Sequence, residues 1–220
     1  MCRNVWSVPR CSGLTVGASG KRIDVLCRAD ALLGKHRDCD LVCRAFPTPE
    51  QDAITHGVSR QHARLRIVDG KLMVEDLSSL NGTYIDDKRL TGAPVPLADE
   101  SLLRLGPVLT LEVRLFRTGA ALLRRVDTYH GGFPATLLIW DRIDLGEPLL
   151  ELVPATGDAV TRWGVLHNPQ RNNELFYGGP VAVNWLRAGV PVQPRPQSVQ
   201  PGDRLILGGA AVDFEAGNKP

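Results

Sequence analysis

The sequence predicts an all-β protein built as two consecutive β-sandwiches, the second a shorter, degenerate copy of the first. Three observations predict it. Apolar runs of strand length recur about every ten residues, turn signals stand between them, and landmarks of the first half return in the same order in the second. In 20–117 the runs are Arg22–Cys27, Asp40–Arg44, Ala63–Val68, Lys71–Asp76, Gly82–Ile85, Leu102–Leu105 and Leu109–Phe116. Asp69-Gly70, Asn81-Gly82 and Gly106-Pro107 separate them, with Gly or Asn accepting the positive φ of a tight reversal. No stretch of 20–117 carries an amphipathic helix longer than two turns.

The pattern lapses between Gly119 and Gly132, where Ala120–Leu123 reads as a short helix or a tether. Runs resume at Ala135–Trp140, Leu149–Val153, Arg162–Leu166, Glu174–Tyr177, Val181–Leu186, Arg204–Leu207 and Ala211–Glu215. Leu33-Gly34 returns as Leu145-Gly146 at a separation of 112 residues. Tyr84-Ile85 returns as Trp185-Leu186 at 101, and Leu103–Gly106 as Leu205–Gly208 at 102. The falling separation implies a shortened surface loop in the second copy. The expected organisation is an N-terminal extension or edge strand over 1–19, a first sandwich over 20–117, a linker over 118–134 and a second sandwich over 135–217.

Composition narrows the function. Of 220 residues, 43% are hydrophobic and 23% charged, close to globular averages, so each half can bury a core. The net charge of +2 comes from 17 basic and 14 acidic residues in 1–120 and 9 and 10 after it, with no basic cluster longer than a pair such as Arg124-Arg125. Nucleic acid is not the expected partner. No apolar run reaches the roughly 18 residues of a membrane helix, and Met1–Gly13 lacks a signal-peptide core, so the expected location is cytoplasmic without membrane insertion. Cys2, Cys11, Cys27, Cys39 and Cys43 form an odd set with no Cys-x-x-Cys pair, which reads as reduced thiols. A zinc site through Cys39 and Cys43 would need two further ligands, such as His36 or His56, at a spacing zinc motifs do not use. No metal and no cofactor are expected. His36, His56, His62, His130 and His167 fall in no nucleophile elbow, zinc helix or P-loop, and an enzyme is not expected.

Polar residues stand in three places where a plain sandwich does not need them: Gly34-Lys35, Ser59-Arg60-Gln61-His62 and Ser78-Ser79-Leu80-Asn81-Gly82-Thr83. All lie at the ends of apolar runs, where loops on a rigid scaffold carry binding groups. Taken singly, Asn81-Gly82 is also a hairpin turn and His62 a core histidine. Taken together, Leu33-Gly34-Lys35, Ser59-x-x-His62 and Asp76–Thr83 resemble the forkhead-associated (FHA) domain. The resemblance covers roughly residues 20–117 and implies an eleven-stranded sandwich whose apical loops bind phosphothreonine in a partner protein. It implies that Ser59 and Lys35 meet the phosphate, Arg60 the peptide or the phosphate, and Asn81 the peptide main chain. Gly34, His62, Gly82 and Thr83 would then support the loops. It also implies kinase signalling or secretion-apparatus assembly as the setting.

The chemistry fits those roles, because a phosphoryl group brings about −1.5 to −2 charges and three acceptor oxygens. Two departures bear on it. Lys35 replaces the usual Arg, exchanging a bidentate fork for a flexible point charge, and Leu80 takes a place where many members have a small polar residue. A phosphate-independent scaffold on the same fold is therefore the alternative. The second half resembles a degenerate FHA-like sandwich without the site: Glu147 follows Leu145-Gly146, no Ser-x-x-His follows, and Val181–Asn184 replaces Asn-Gly-Thr. An unrelated small β domain is the alternative there. The oligomeric state is not legible.

Overall fold

The computed structural model describes residues 6–7, 13–16, 21–44, 55–107, 109–126, 135–145, 164–167, 176–178, 184–192, 197–207 and 210–215. In chain order the first strands are β1 (Trp6–Ser7), β2 (Gly13–Val16), β3 (Lys21–Leu26), β4 (Asp30–Gly34), β5 (Leu41–Cys43), β6 (Ala63–Val68) and β7 (Lys71–Asp76). They are followed by β8 (Thr83–Ile85), β9 (Lys88–Arg89), β10 (Val95–Pro96), β11 (Leu102–Leu105), β12 (Leu109–Phe116), β13 (Ala120–Arg125) and β14 (Ala135–Ile139). The last are β15 (Arg142–Leu145), β16 (Gly164–His167), β17 (Phe176–Gly178), β18 (Asn184–Arg187), β19 (Val190–Pro191), β20 (Gln197–Ser198), β21 (Asp203–Leu207) and β22 (Ala210–Glu215). A single helical turn at 55–57 is the one helical segment among the described residues. No helix among them is long and apolar enough to cross a membrane.

Three sheets result. One has the order β1-β5-β4-β6-β7-β10, a second β15-β16-β17-β20, and a long third β19-β18-β21-β22-β2-β3-β14-β13-β12-β11-β8-β9. The all-β, sandwich-type reading of the sequence holds. Hairpin chemistry sets much of it: Asp69 (φ 49°) and Gly70 (φ 75°) turn β6 into β7, and Asp86 (φ 48°) and Asp87 (φ 64°) turn β8 into β9. Left-handed residues at both turn positions match the twist of the flanking strands.

The first core lies between the six-stranded sheet and the facing part of the long one. Leu33, Leu41, Leu65, Leu72 and Val74 meet Leu103, Leu105, Leu109, Leu111 and Val113 in one buried cluster. β12 alternates buried and half-buried positions along most of its length, as a strand with one covered face must. β3 and β14 differ, since Ile23 to Leu26 and Thr136 to Ile139 are buried without interruption, so both faces of the sheet are covered there.

One sequence reading needs correction. Ala120–Leu123, expected as a short helix or tether, belongs to β13, which pairs with β12 on one side and β14 on the other. Ala120 and Ala121 are fully buried, so this stretch is core and not a linker. The expected run Leu149–Val153 and the segment 45–54 lie outside the described residues. Trp6–Ser7, within the expected N-terminal extension, pairs with β5 at the edge of the six-stranded sheet.

Candidate functional site

The site is assembled by backbone before any side chain acts. Beyond β4 the amide of Lys35 donates to the Ser59 carbonyl (3.0 Å) and that of His36 to the Arg60 carbonyl (2.9 Å), lacing two loops side by side. Gly34 permits this approach, because a Cβ there would sit 2.3 Å from the Arg60 carbonyl oxygen. The Cys39 thiol also donates to that carbonyl, at 3.2 Å. Lys35, Ser59 and Arg60 thus share one rim, far apart in sequence and adjacent in space.

His62 fixes the height of that rim. Its side chain is fully buried, its Nδ1 accepts from the Ser59 amide (2.9 Å), and its Nε2 lies 3.0 Å from the Gly82 carbonyl. Both bonds form together when the neutral ring carries its proton on Nε2. Burial lowers the His62 pKa, against the opposing pull of the Gly82 carbonyl and the Asp76 carboxylate. The ring therefore ties the serine loop to the Asn81-Gly82 loop in its uncharged form.

Asp76 holds the third loop. Its carboxylate accepts from the Ser79 hydroxyl (2.6 Å), the Thr83 hydroxyl (2.6 Å) and the Ser79 amide (3.1 Å). Burial alone would raise its pKa, but those hydrogen bonds, with His62 nearby, hold it below the ordinary carboxylate value. Ser78, inside this turn, is left-handed at φ 55°. Gly82 takes φ 80°, a left-handed backbone that L side chains rarely adopt.

A cavity of about 760 Å³ opens over these loops, lined by Lys35, His36, His56, Val58, Ser59, Arg60, Gln61, Leu77, Ser78 and Leu80. Within it the Ser59 hydroxyl oxygen accepts from the Leu80 amide (3.0 Å). With an acceptor site filled, the hydroxyl proton is free to point into the cavity. Lys35 is half-buried and Arg60 exposed, and among the described residues neither forms an ion pair. Among the described residues no carboxylate lines the opening, a lining that suits an anion. Leu80 stands at its edge, 83% exposed. Asn81 lies outside the lining: its Nδ2 donates to the Gly57 carbonyl (2.9 Å), engaging one of its two N–H groups.

The family model of the FHA domain matches residues 31–106, which contain every group of this site. Residues 31–106 are an FHA domain. Solved structures similar to the chain include one from work on phosphothreonine-dependent FHA domain interactions, 25% identical, covering 48% of this chain and 97% of that one at a TM-score of 0.33. Another is Mycobacterium tuberculosis EmbR in complex with a low-affinity phosphopeptide, 26% identical, covering 43% and 22% at 0.29. A third is the FHA domain of an Arabidopsis thaliana hypothetical protein, 22% identical, covering 52% and 93% at 0.35. No curated protein sequence matches the chain.

Of the residues singled out from the sequence, the FHA domain places Lys35, Ser59 and Arg60 around one opening. Gly34, His62, Gly82 and Thr83 lie beneath it. Sequence reasoning passed over Asp76, the residue that ties Ser79 and Thr83 together. A signal was present, since an Asp with Ser three residues on forms a local side-chain-to-backbone turn. His36, His56 and Leu80 join the lining through loop geometry that no local pattern encodes.

Proposed function

We propose that the FHA domain of this chain is a non-catalytic module that binds a phosphothreonine-bearing protein. Ser59 donates its hydroxyl to a phosphate oxygen, Lys35 and Arg60 supply the countercharge, and Asn81 uses its remaining amide groups on the peptide main chain. The observation that carries this reading is the Ser59 hydroxyl. Its oxygen accepts from the Leu80 amide, which leaves its proton to donate, and it lines a cavity bordered by Lys35 and Arg60 with no carboxylate among the described residues. A charged acceptor is the ligand that such a donor set rewards. The second half, whose strand orders repeat those of the first, is a degenerate FHA-like sandwich without a phosphate site. Kinase signalling or secretion-apparatus assembly is the setting that a module of this type suits.

The test is calorimetry on the full chain with one threonine peptide in phosphorylated and unphosphorylated forms. Binding should require the phosphate, and Ser59→Ala should weaken it at least tenfold while the protein stays folded. Equal affinity for the two peptides would establish a phosphate-independent scaffold instead.

A further inference from the structure

We infer that the two halves of the chain have exchanged their opening hairpins, so that the second half supplies strands that complete the FHA half, and the FHA half supplies strands that complete the second. The order of the long sheet reads alike in both directions from its centre. Outward from β14 come β13, β12, β11, β8 and β9, and outward from β3 come β2, β22, β21, β18 and β19. These are the same parts in the same sequence. β2–β3 and β13–β14 are hairpins that lead within three residues into β4 and β15. β11–β12 and β21–β22 are long closing hairpins, and β8–β9 and β18–β19 are short ones turned by left-handed residues, Asp86-Asp87 and Ala188-Gly189. The remaining strands repeat too, as β4-β6-β7-β10 and β15-β16-β17-β20.

Against that repetition, the opening hairpins sit on the opposite halves. The closing strand of the FHA half, β12, pairs with β13, the first strand of the second copy, and the closing strand of the second copy, β22, pairs with β2, the first strand of the chain. The side chains agree, since Ala121, Leu123, Leu138 and Trp140 lie in the same buried cluster as Leu33, Leu65, Leu103 and Leu111. At the junction β3 and β14 run parallel, with Ile23 opposite Ala135 and Leu26 opposite Leu138. That separation of 112 residues is also the one between Leu33-Gly34 and Leu145-Gly146.

Loop closure gives the exchange a cause. β13 reaches its place beside β12 through a tight turn at 117–119. There the Gly119 amide donates to the Phe116 carbonyl, and the Gly119 carbonyl accepts the amides of Trp140 and Asp141. Gly119 is required, at φ 98° with Asp141 2.5 Å from where its Cβ would be. For β2 to take that place, the chain would have to close a loop of more than ninety residues, at a larger entropic cost for the same ladder of hydrogen bonds. The local hairpin wins the seat beside β12, and β2–β3 fills the equivalent seat beside β22.

The exchange is tested in the full chain by cross-linking, with Cys2→Ser and Cys11→Ser in the background. In the exchanged fold Thr15 lies opposite Asp213, while the corresponding partner of Asp213 in the FHA half is Glu112, which faces Arg124. Thr15→Cys with Asp213→Cys should form an intrachain disulfide on oxidation in most of the protein, a pair at normal cross-strand Cα spacing. Thr15→Cys with Glu112→Cys should not. A 15–112 bond, or a 15–213 bond found only between two chains, would overturn the inference. A second measurement does not depend on cysteine chemistry: a protease site is inserted between Arg117 and Thr118, in the turn that joins β12 to β13, and cut without denaturant. The two fragments should still elute as one species, and their separation without denaturant would overturn the exchange.

Discussion

Ser59 and His62 are coupled through one backbone amide, and the protonation of the ring decides whether that coupling survives. A proton on Nδ1 would face the Ser59 N–H, donor against donor, so the folded state holds the ring neutral and its pKa is lowered by burial. A histidine with a lowered folded pKa contributes stability that is complete above its unfolded value, about 6.5, and lost as pH falls through the folded value. Urea unfolding at a series of pH values should therefore show stability declining below about pH 6.5, with less decline in His62→Asn, which has no proton to gain; an unchanged slope in the variant would assign the decline to other groups. Independently of pH, His62→Ala should cost about 1–3 kcal/mol, because the Ser59 amide and Gly82 carbonyl lose their partner inside the fold. Lys35→Arg tests the rim itself. A guanidinium can set two parallel N–H groups on a phosphate, so affinity for a phosphothreonine peptide should rise roughly tenfold with no change for the unphosphorylated form. Should Lys35→Ala bind as well as wild type, Lys35 makes no contact with phosphate. Much of this site could be read in advance because Lys35, Ser59, Arg60 and His62 sit in short local motifs. Asn81 was legible as a residue, while the bond from its amide to Gly57 was not, since the backbone of 55–57 reaches it only through the fold.

At the scale of elements, legibility follows how a strand is buried. Ala63–Val68, Lys71–Asp76, Leu102–Leu105 and Leu109–Phe116 were bounded from the sequence because turns flank them and most alternate between a covered and an open face. β13 escaped because four of its six residues are buried, leaving a short apolar run with no period to separate a strand from a helix. β9, β10 and β19 are two residues long, too short to carry a pattern at all. The contribution of β13 to the core can be measured. Leu123 is 3% exposed and packs in the core of the FHA domain from outside the 31–106 match. Leu123→Ala should destabilise the protein by about 2–5 kcal/mol, as buried Leu→Ala changes do when the surroundings cannot collapse. A loss below about 0.5 kcal/mol in chemical denaturation would mean that this strand is peripheral, as a tether would be.

Across the whole molecule, the question is whether two repeated halves behave as two cooperative units or one. Independent domains joined by a linker unfold in separate steps, each with its own midpoint, because few contacts cross between them. Here the long sheet runs through both halves without an edge between them, and its central strands β3 and β14 are buried on both faces. Pulling the second half away would strip β13 and β14 from β12 and leave the buried row Leu111, Val113 along an unpaired edge, the kind of surface that proteins avoid exposing. The first half would likewise remove β2 from β22. Urea unfolding of the full chain should therefore give one transition. Far-ultraviolet circular dichroism and tryptophan fluorescence should coincide, since Trp140 sits in the first core and Trp185 is buried on β18. The slope on denaturant should be that of a single unit of 220 residues, because it scales with the surface exposed on unfolding. Two resolved midpoints, with Trp140→Phe and Trp185→Phe each silencing a different one, would show that the halves fold separately and that the shared sheet adds little to either.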